Sequence, residues 1–545
     1  MRASRVYTFF FLALVAISFF IKLIWWDDPY WGVKYGRQIT TLDTIEIYSR
    51  IGIDLLKTYT YWTPLGWQAF VLQELPIYQA FSAWVSTFTE TVLSASRGVN
   101  LFFALLTIPV VFQIAAIYFC RKTAIYATLF FAYSPLNLMY QSATLMDVST
   151  TFFASLAYWL LSKYFEGARG ISLFFTFLAA SVVCILTKPL YFLPSGVLLV
   201  THFFQQWGWP RTKNLATYVT LHRKIIYLFA LTTLVMFFWI EIQKEINPDS
   251  KNMTRYVHFN LFYHLTDSLF YLRIIFRWVL VVLNPVTFLF FSLGVFLLYR
   301  DHLRCTQMAL VYSIIAYHLL FGAMVTSHEY YLLPIVPFFS VIAGRGSSWM
   351  EERIRNDFRI RSNYLLPAII SLGSTICSVL VFSVNFVAAQ DIKPRSAHIA
   401  EEMVGVLEPG QYAYVYADHT NFPTHYYVTY NRTAKLKYFM GLISKEQFQL
   451  QTSPMRSSEI MNRLKVHGNA HLVFPIGDRL FQSPKGEIAI ELDVEKIQTD
   501  FQGHLRYLIF YRFTEETKKQ IKNKIKHYQL THESANWLVY DLAFE

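Results

Sequence analysis

The stretch "VNLFFALLTIPVVFQIAAIYF", Val99 to Phe119, carries no charged side chain along its whole length. A helix needs about 20 mostly apolar residues to cross the hydrocarbon of a bilayer, so this run reads as a membrane span. Similar runs lie on either side of it: Tyr7–Ile24, Thr123–Met146, Val148–Leu161, Ile171–Thr187, Leu190–Gln206, Ile225–Ile240, Trp278–Tyr299, Cys305–Ser327, Tyr330–Ala343 and Tyr364–Gln390. The expected fold class is an α-helical polytopic membrane protein of about 11 transmembrane helices.

Composition agrees with that reading. Of 545 residues, 54% are hydrophobic, 18% aromatic and only 15% charged, against roughly a quarter charged in soluble proteins. Much of the surface must therefore face lipid. The net charge of +12 sits mainly in short clusters between apolar runs, where the positive-inside rule accounts for it. No recognition motif accompanies the charge, so no nucleic-acid partner is expected. Cys120, Cys184, Cys305 and Cys377 all lie in or beside apolar segments, leaving the polar C-terminal part without a disulfide framework.

Charge also orients the chain. The first run is followed by "IWWDDPYW", which lacks a small-residue cleavage site, so an uncleaved anchor is expected, with Trp25 and Trp26 at the interface. With the basic N-terminus inside, the segments Arg121–Lys122, Lys163–Arg169, 211–224, Arg300–Arg304 and 345–361 are cytoplasmic, and each is basic. The outer side then receives 25–97, the turn near Asp147, Lys188, the loop 241–277, His328–Tyr331 and everything after Asp391.

Two domains follow. Residues 1–390 form the transmembrane domain, and its outside loop 25–97 is expected to carry helices lying on the membrane, because "TLDTIEIYSRIGIDLL" places apolar residues near helical spacing. Residues 391–545 form a small soluble extracytoplasmic α/β domain. There "AYVYA" (413–417), "AHLVFPI" (470–476) and "IAIELD" (488–493) read as strands, and 457–466 and 515–528 as helices.

Ionisable residues at membrane depth are costly and so are functional candidates. In a helix Asp43 and Glu46 are i,i+3 neighbours, and Arg50 follows Glu46 by four, in reach of a surface ion pair. Asp43 also suits an N-cap. Glu74 precedes Pro76, a pairing that equally marks a helix start. Lys188 stands at a span end, where it can pair a phosphate or snorkel. A lone His328–Glu329 pair is weak ground for a metal, so no metal site is assigned. Serine-nucleophile, phosphate-loop and dinucleotide motifs are absent, and no cofactor is predicted.

The succession "RQITTLDT", "QELPIYQAF", "SASRGVNLFFALLTIPVVF", "YSPLNLMYQSATLMD", "LTKP" and "HEYYLLPIVP" resembles the polytopic type C glycosyltransferases. Within them it is similar to the family 39-like bacterial enzymes related to protein O-mannosyltransferases and the aminoarabinose lipid A transferase. The resemblance covers about residues 1–345. It implies a polyprenyl-phosphate sugar donor, an active site facing away from the cytoplasm in a bacterial inner membrane, and a glycan, lipid or protein acceptor. It also implies a catalytic base in the first outside loop, a place that Asp43 in "LDT" matches. The family's Asp-Glu dipeptide is not kept, since Thr44 follows Asp43, so Glu46 is the alternative base. Arg37, Glu74, Arg97, Asp147, Lys188, His328, Glu329, Tyr330 and Tyr331 are the candidate substrate-binding residues. A transporter or flippase for a lipid-linked saccharide is the rival class, but its internal repeats are not visible in the sequence.

Overall fold

The computed structural model describes residues 2–23, 26, 37–38, 41–42, 44–45, 48–49, 52–56, 74–207, 212–246, 268–300, 305–358 and 365–390. Towards the C-terminus it describes residues 412–417, 451–452, 471–473, 481–482, 488–489, 505–511, 515–533 and 537–541. The described helices are α1 (Arg2–Leu23), α2 (Ile77–Val85), α3 (Val92–Tyr118), α4 (Arg121–Ala132), α5 (Pro135–Tyr140), α6 (Met146–Phe165), α7 (Ile171–Thr187) and α8 (Leu193–Trp207). They continue with α9 (Thr212–Leu221), α10 (Arg223–Ile246), α11 (Ser268–Arg277), α12 (Pro285–Arg300), α13 (Cys305–Ser327), α14 (Val336–Asp357) and α15 (Leu365–Gln390).

Each apolar run of the sequence contains helix, because in hydrocarbon a backbone must bond to itself. By length and hydropathy alone, three described helices are fit to cross a membrane: α3, Arg223–Gln243 of α10 and Leu366–Val384 of α15. A fourth candidate is the pair Leu269–Leu283 and α12, bent by 112°.

Three runs expected as single spans are interrupted: Cys305–Ser327 kinks at Phe321 (φ −124, ψ 19), and two others break outright. Thr123–Met146 stops being helical at Tyr133 and Ser134, because Pro135 holds Ser134 in an extended conformation (φ −52, ψ 128). Trp278–Tyr299 divides at Asn284, whose φ is +70. The Asn284 side chain accepts from the Thr287 backbone N–H at 2.9 Å and donates to Ser378 Oγ at 2.6 Å, so it caps the helix that restarts at Pro285. The two breaks meet: Ser134 Oγ donates to the Val282 carbonyl at 2.6 Å, satisfying an oxygen left open by the bend.

At the core, α14 lies between α4 and α12. The approach to α12 is backbone to backbone: a Cβ on Gly346 would collide with the Phe290 carbonyl, and one on Gly294 with the Ile342 carbonyl. Small residues permit this in membrane helices. Further along α14, the buried Glu351 is held by Lys122 at 2.9 Å, Arg355 at 2.6 Å and Tyr126 Oη at 2.8 Å.

The loop 25–97 is described in part. Its helical residues Leu42, Ile45 and Tyr48 are buried against Tyr78, Leu93, Val99 and Met146. Helix α2 buries Tyr78, Gln79, Ser82 and Ala83 and exposes Trp84, with Phe88 exposed just beyond it.

Towards the C-terminus there is a six-stranded sheet. Its strands are β1 (Tyr412–Ala417), β2 (Gln451–Thr452), β3 (His471–Val473), β6 (Leu505–Tyr511), β7 (Gln529–Glu533) and β8 (Trp537–Asp541), in the order β2-β3-β1-β6-β8-β7. The pairs β2–β3, β3–β1 and β1–β6 are parallel, and β6–β8 and β8–β7 antiparallel. A separate antiparallel pair joins β4 (Phe481–Gln482) to β5 (Ile488–Ala489). Helix α16 (Glu515–Lys524) falls within the 515–528 expected from sequence, whereas the helix expected at 457–466 lies outside the described residues.

The glycine contact gives a direct test. Gly346→Val should cost about 1–3 kcal/mol through overpacking, read as a lower thermal midpoint in detergent. An unchanged midpoint would contradict the close crossing of α12 and α14.

Candidate active site

The site begins with a proline. Pro189 keeps Lys188 extended (φ −146, ψ 95) and so ends α7 at Thr187. The side chain then turns inward; it does not snorkel. Lys188 is 5% exposed, and its Nζ lies 2.6 Å from Asp147 Oδ1 and 3.6 Å from Glu74 Oε1. The rings of Tyr331, Tyr330 and Tyr191 surround the ammonium at 4.7, 5.4 and 5.7 Å from their centroids.

Each partner is placed by its own element. Asp147 stands in the first turn of α6, where the helix dipole favours a carboxylate, and is fully buried. Its Oδ1 also accepts from Tyr191 Oη at 2.5 Å, while its Oδ2 has no hydrogen-bond partner among the described residues. Glu74 precedes α2 in a segment stitched to the end of α7 by the Leu75 N–H, which donates to the Leu186 carbonyl at 2.9 Å. Glu74 Oε2 accepts from Arg37 Nη2.

The turn before α6 is locked from two sides. Asn100 Nδ2 on α3 donates to the Ala143 and Leu145 carbonyls, the latter at 2.7 Å, and Ser96 Oγ lies 2.9 Å from Thr144 Oγ1. From the first loop, Gln38 Oε1 accepts from the Thr144 N–H at 3.1 Å. Arg37 and Gln38 thus fasten one loop to both halves of the site.

Electrostatically the centre is balanced: two cations, Arg37 and Lys188, against two carboxylates, Glu74 and Asp147. Burial alone would lower the Lys188 pKa, but Asp147 above all, with Glu74, pushes it up to about 12. Glu74 likewise raises that of Arg37. Both cations therefore keep their charge at any physiological pH.

Of the residues singled out in the sequence, Arg37, Glu74, Asp147, Lys188, Tyr330 and Tyr331 come together. His328 stacks on Tyr330 with centroids 5.5 Å apart, and Glu329 accepts from Tyr140 Oη at 2.5 Å. Arg97, buried on α3, donates to the Trp26 carbonyl and ties the exit of α1 to the bundle. Asp43 and Glu46 lie outside the described residues. Sequence reasoning missed Tyr191, Tyr140, Gln38 and Asn100. For Tyr191 the signal was its place three residues after Lys188; the others had none. Among the described residues, no group of three or more His, Cys, Asp or Glu side chains is placed to hold a metal ion.

No family model and no curated protein matches the chain. Among solved structures, it is similar to the aminoarabinose lipid A transferase ArnT from Cupriavidus metallidurans bound to undecaprenyl phosphate. The TM-score is 0.61 at 14% identity, over 98% of each chain. The apo state of the same protein gives 0.60 at 14% identity, over 99% of this chain and 98% of that one. The oligosaccharyltransferase AglB from Archaeoglobus fulgidus, in complex with an inhibitory peptide and a dolichol-phosphate, gives 0.47 at 12% identity, over 92% and 69%. The chain has the type C glycosyltransferase fold of an integral membrane protein.

If Asp147 is the hub of the centre, Asp147→Asn should destabilise the protein by about 3 kcal/mol, since it removes the closest counter-charge of a buried lysine. Tyr191→Phe, which removes one hydrogen bond to a charged group, should cost about 1.5 kcal/mol. Thermal unfolding in detergent checks the order; equal losses would contradict it.

Proposed function

We propose that the chain is a glycosyltransferase that moves a sugar from a polyprenyl-phosphate donor to a hydroxyl or amine on an envelope glycan, lipid or protein. The observation that carries this reading is the pair of cations, the buried Lys188 and the part-exposed Arg37, brought together in a type C glycosyltransferase fold. A neighbour of that fold was solved bound to undecaprenyl phosphate. Arg37 leaves 27% of its side chain exposed and has donors beyond the one on Glu74, which suits recognition of phosphate oxygens.

In the proposed reaction an acceptor oxygen or nitrogen attacks the anomeric carbon of the donor. The bond from that carbon to the phosphate oxygen breaks, and the electron pair leaves with the polyprenyl phosphate. The acceptor proton passes to a base. Arg37 and Lys188 stabilise the negative charge that grows on the departing phosphate. Asp43 is proposed as the base, with Glu46 as the alternative. In support, the chain neighbours of Asp43, Leu42 and Thr44, are buried, and nearby Gln38 bonds to the turn before α6. The tyrosines round Lys188 exclude water from the phosphate end.

The C-terminal residues 391–545 and the site are proposed to face the extracytoplasmic side of a bacterial plasma membrane, in keeping with the basic loops at the other end of the helices. A reporter active only in the cytoplasm, fused after Glu545, should then be silent; activity would reverse the orientation.

Purified protein incubated with lipid-linked sugars and envelope acceptors should release polyprenyl phosphate. Asp43→Asn should lower turnover roughly 100-fold with donor binding unchanged. Full activity in Asp43→Asn together with loss in Glu46→Gln would move the base to Glu46. Release of no polyprenyl phosphate from any lipid-linked sugar would contradict the reading.

A further inference from the structure

The two carboxylates of the centre are not equivalent. Asp147 is fully buried, accepts from Tyr191 and Lys188, and stands in the first turn of a helix. It is a fixed counter-ion. Glu74 belongs to the non-helical segment before Pro76 and keeps 17% of its side chain exposed. It divides its oxygens between the two cations, Oε2 on Arg37 and Oε1 3.6 Å from Lys188 Nζ. A phosphate held by both cations would need the position that this carboxylate fills.

Resting on the lipid-phosphate reading above, we propose that Glu74 is a built-in placeholder for the donor phosphate, seated between Arg37 and Lys188 until the lipid displaces it. Charge supports the exchange. A polyprenyl-phosphate sugar is a phosphodiester with one negative charge, so replacing Glu74 by it keeps the centre neutral. The monoester left after transfer has a second pKa of about 6 and approaches two negative charges. It leaves the centre with an excess negative charge, and the returning Glu74 competes with it for both cations. Glu74 thereby weakens product binding more than donor binding, which favours turnover over product inhibition. The two carboxylates also keep both cations compensated when the site is empty, as buried charges require.

The test uses the full-length protein in detergent and two short-chain probes: farnesyl phosphate, a monoester, and its methyl ester, a singly charged diester. Isothermal titration at about pH 8, above the second phosphate pKa, gives both affinities. Glu74→Gln removes the competing charge and keeps the shape, so farnesyl phosphate should bind about tenfold tighter or better than to the unsubstituted protein. The wild-type chain should prefer the diester, and that preference should narrow in the variant, where the competing carboxylate is gone. Wild-type binding with unchanged or weaker affinity in Glu74→Gln overturns the placeholder role alone. Should Glu74→Gln fail to fold, the wild-type protein decides: tighter binding of the monoester than of the diester overturns the role. Failure of both probes to bind either protein overturns the lipid-phosphate reading and this inference with it.

Discussion

A buried ammonium must find negative charge or lose its own, and Lys188 obeys that constraint in a way that organises its surroundings. Its counter-ion Asp147 comes from α6 and its second partner Glu74 from the loop ahead of α2. The rings around it come from the segment after α7 and from that leading into α14. None of these elements can shift far without stranding a charge where water does not reach. The hydrogen bonds that lock the 143–145 turn and join Leu75 to Leu186 look after the same geometry. Packing at the glycine crossing of α12 and α14 builds the bundle; the charge pairs set the position of the loops at its end.

The consequence for chemistry is a preorganised but self-satisfied site. Two cations held rigidly are well suited to a departing phosphate, because little reorganisation is needed as charge develops. Yet a cation pair with no anion would be unstable at this depth. Pairing one cation with a fixed carboxylate, and both with a partly exposed one, meets both demands. Arg37 adds a planar fork at the more open edge, so recognition grades from the exposed guanidinium to the enclosed ammonium.

Much of this architecture was legible in the sequence, for a definite reason. Apolar length reports membrane helices directly, and the runs 171–187 and 364–390 coincide with helices almost residue for residue, while 305–327 is helical but kinked at Phe321. The breaks at Ser134 and Asn284 were not read, because hydropathy averages over a proline; the dipeptides Ser134–Pro135 and Asn284–Pro285 were the available signal. The site residues were found as types at span ends, but their pairing was not. Asp147 and Lys188 are 41 residues apart, and Arg37 and Glu74 are 37 apart. Nothing local distinguishes a lysine that snorkels from one that folds inward. Tyr191 is the instructive miss, since an aromatic residue in an apolar run looks like a lipid contact until its hydroxyl is seen on a carboxylate.

The central claim is that the Arg37–Glu74–Lys188–Asp147 centre is where a lipid phosphate binds. A cryo-electron microscopy structure of the protein saturated with a polyprenyl phosphate tests it most directly. The account predicts phosphate density within hydrogen-bond reach of Arg37 and Lys188, with Asp147 still on Lys188 and Glu74 moved away from both cations. Phosphate density elsewhere, with Glu74 still seated between Arg37 and Lys188, would contradict it.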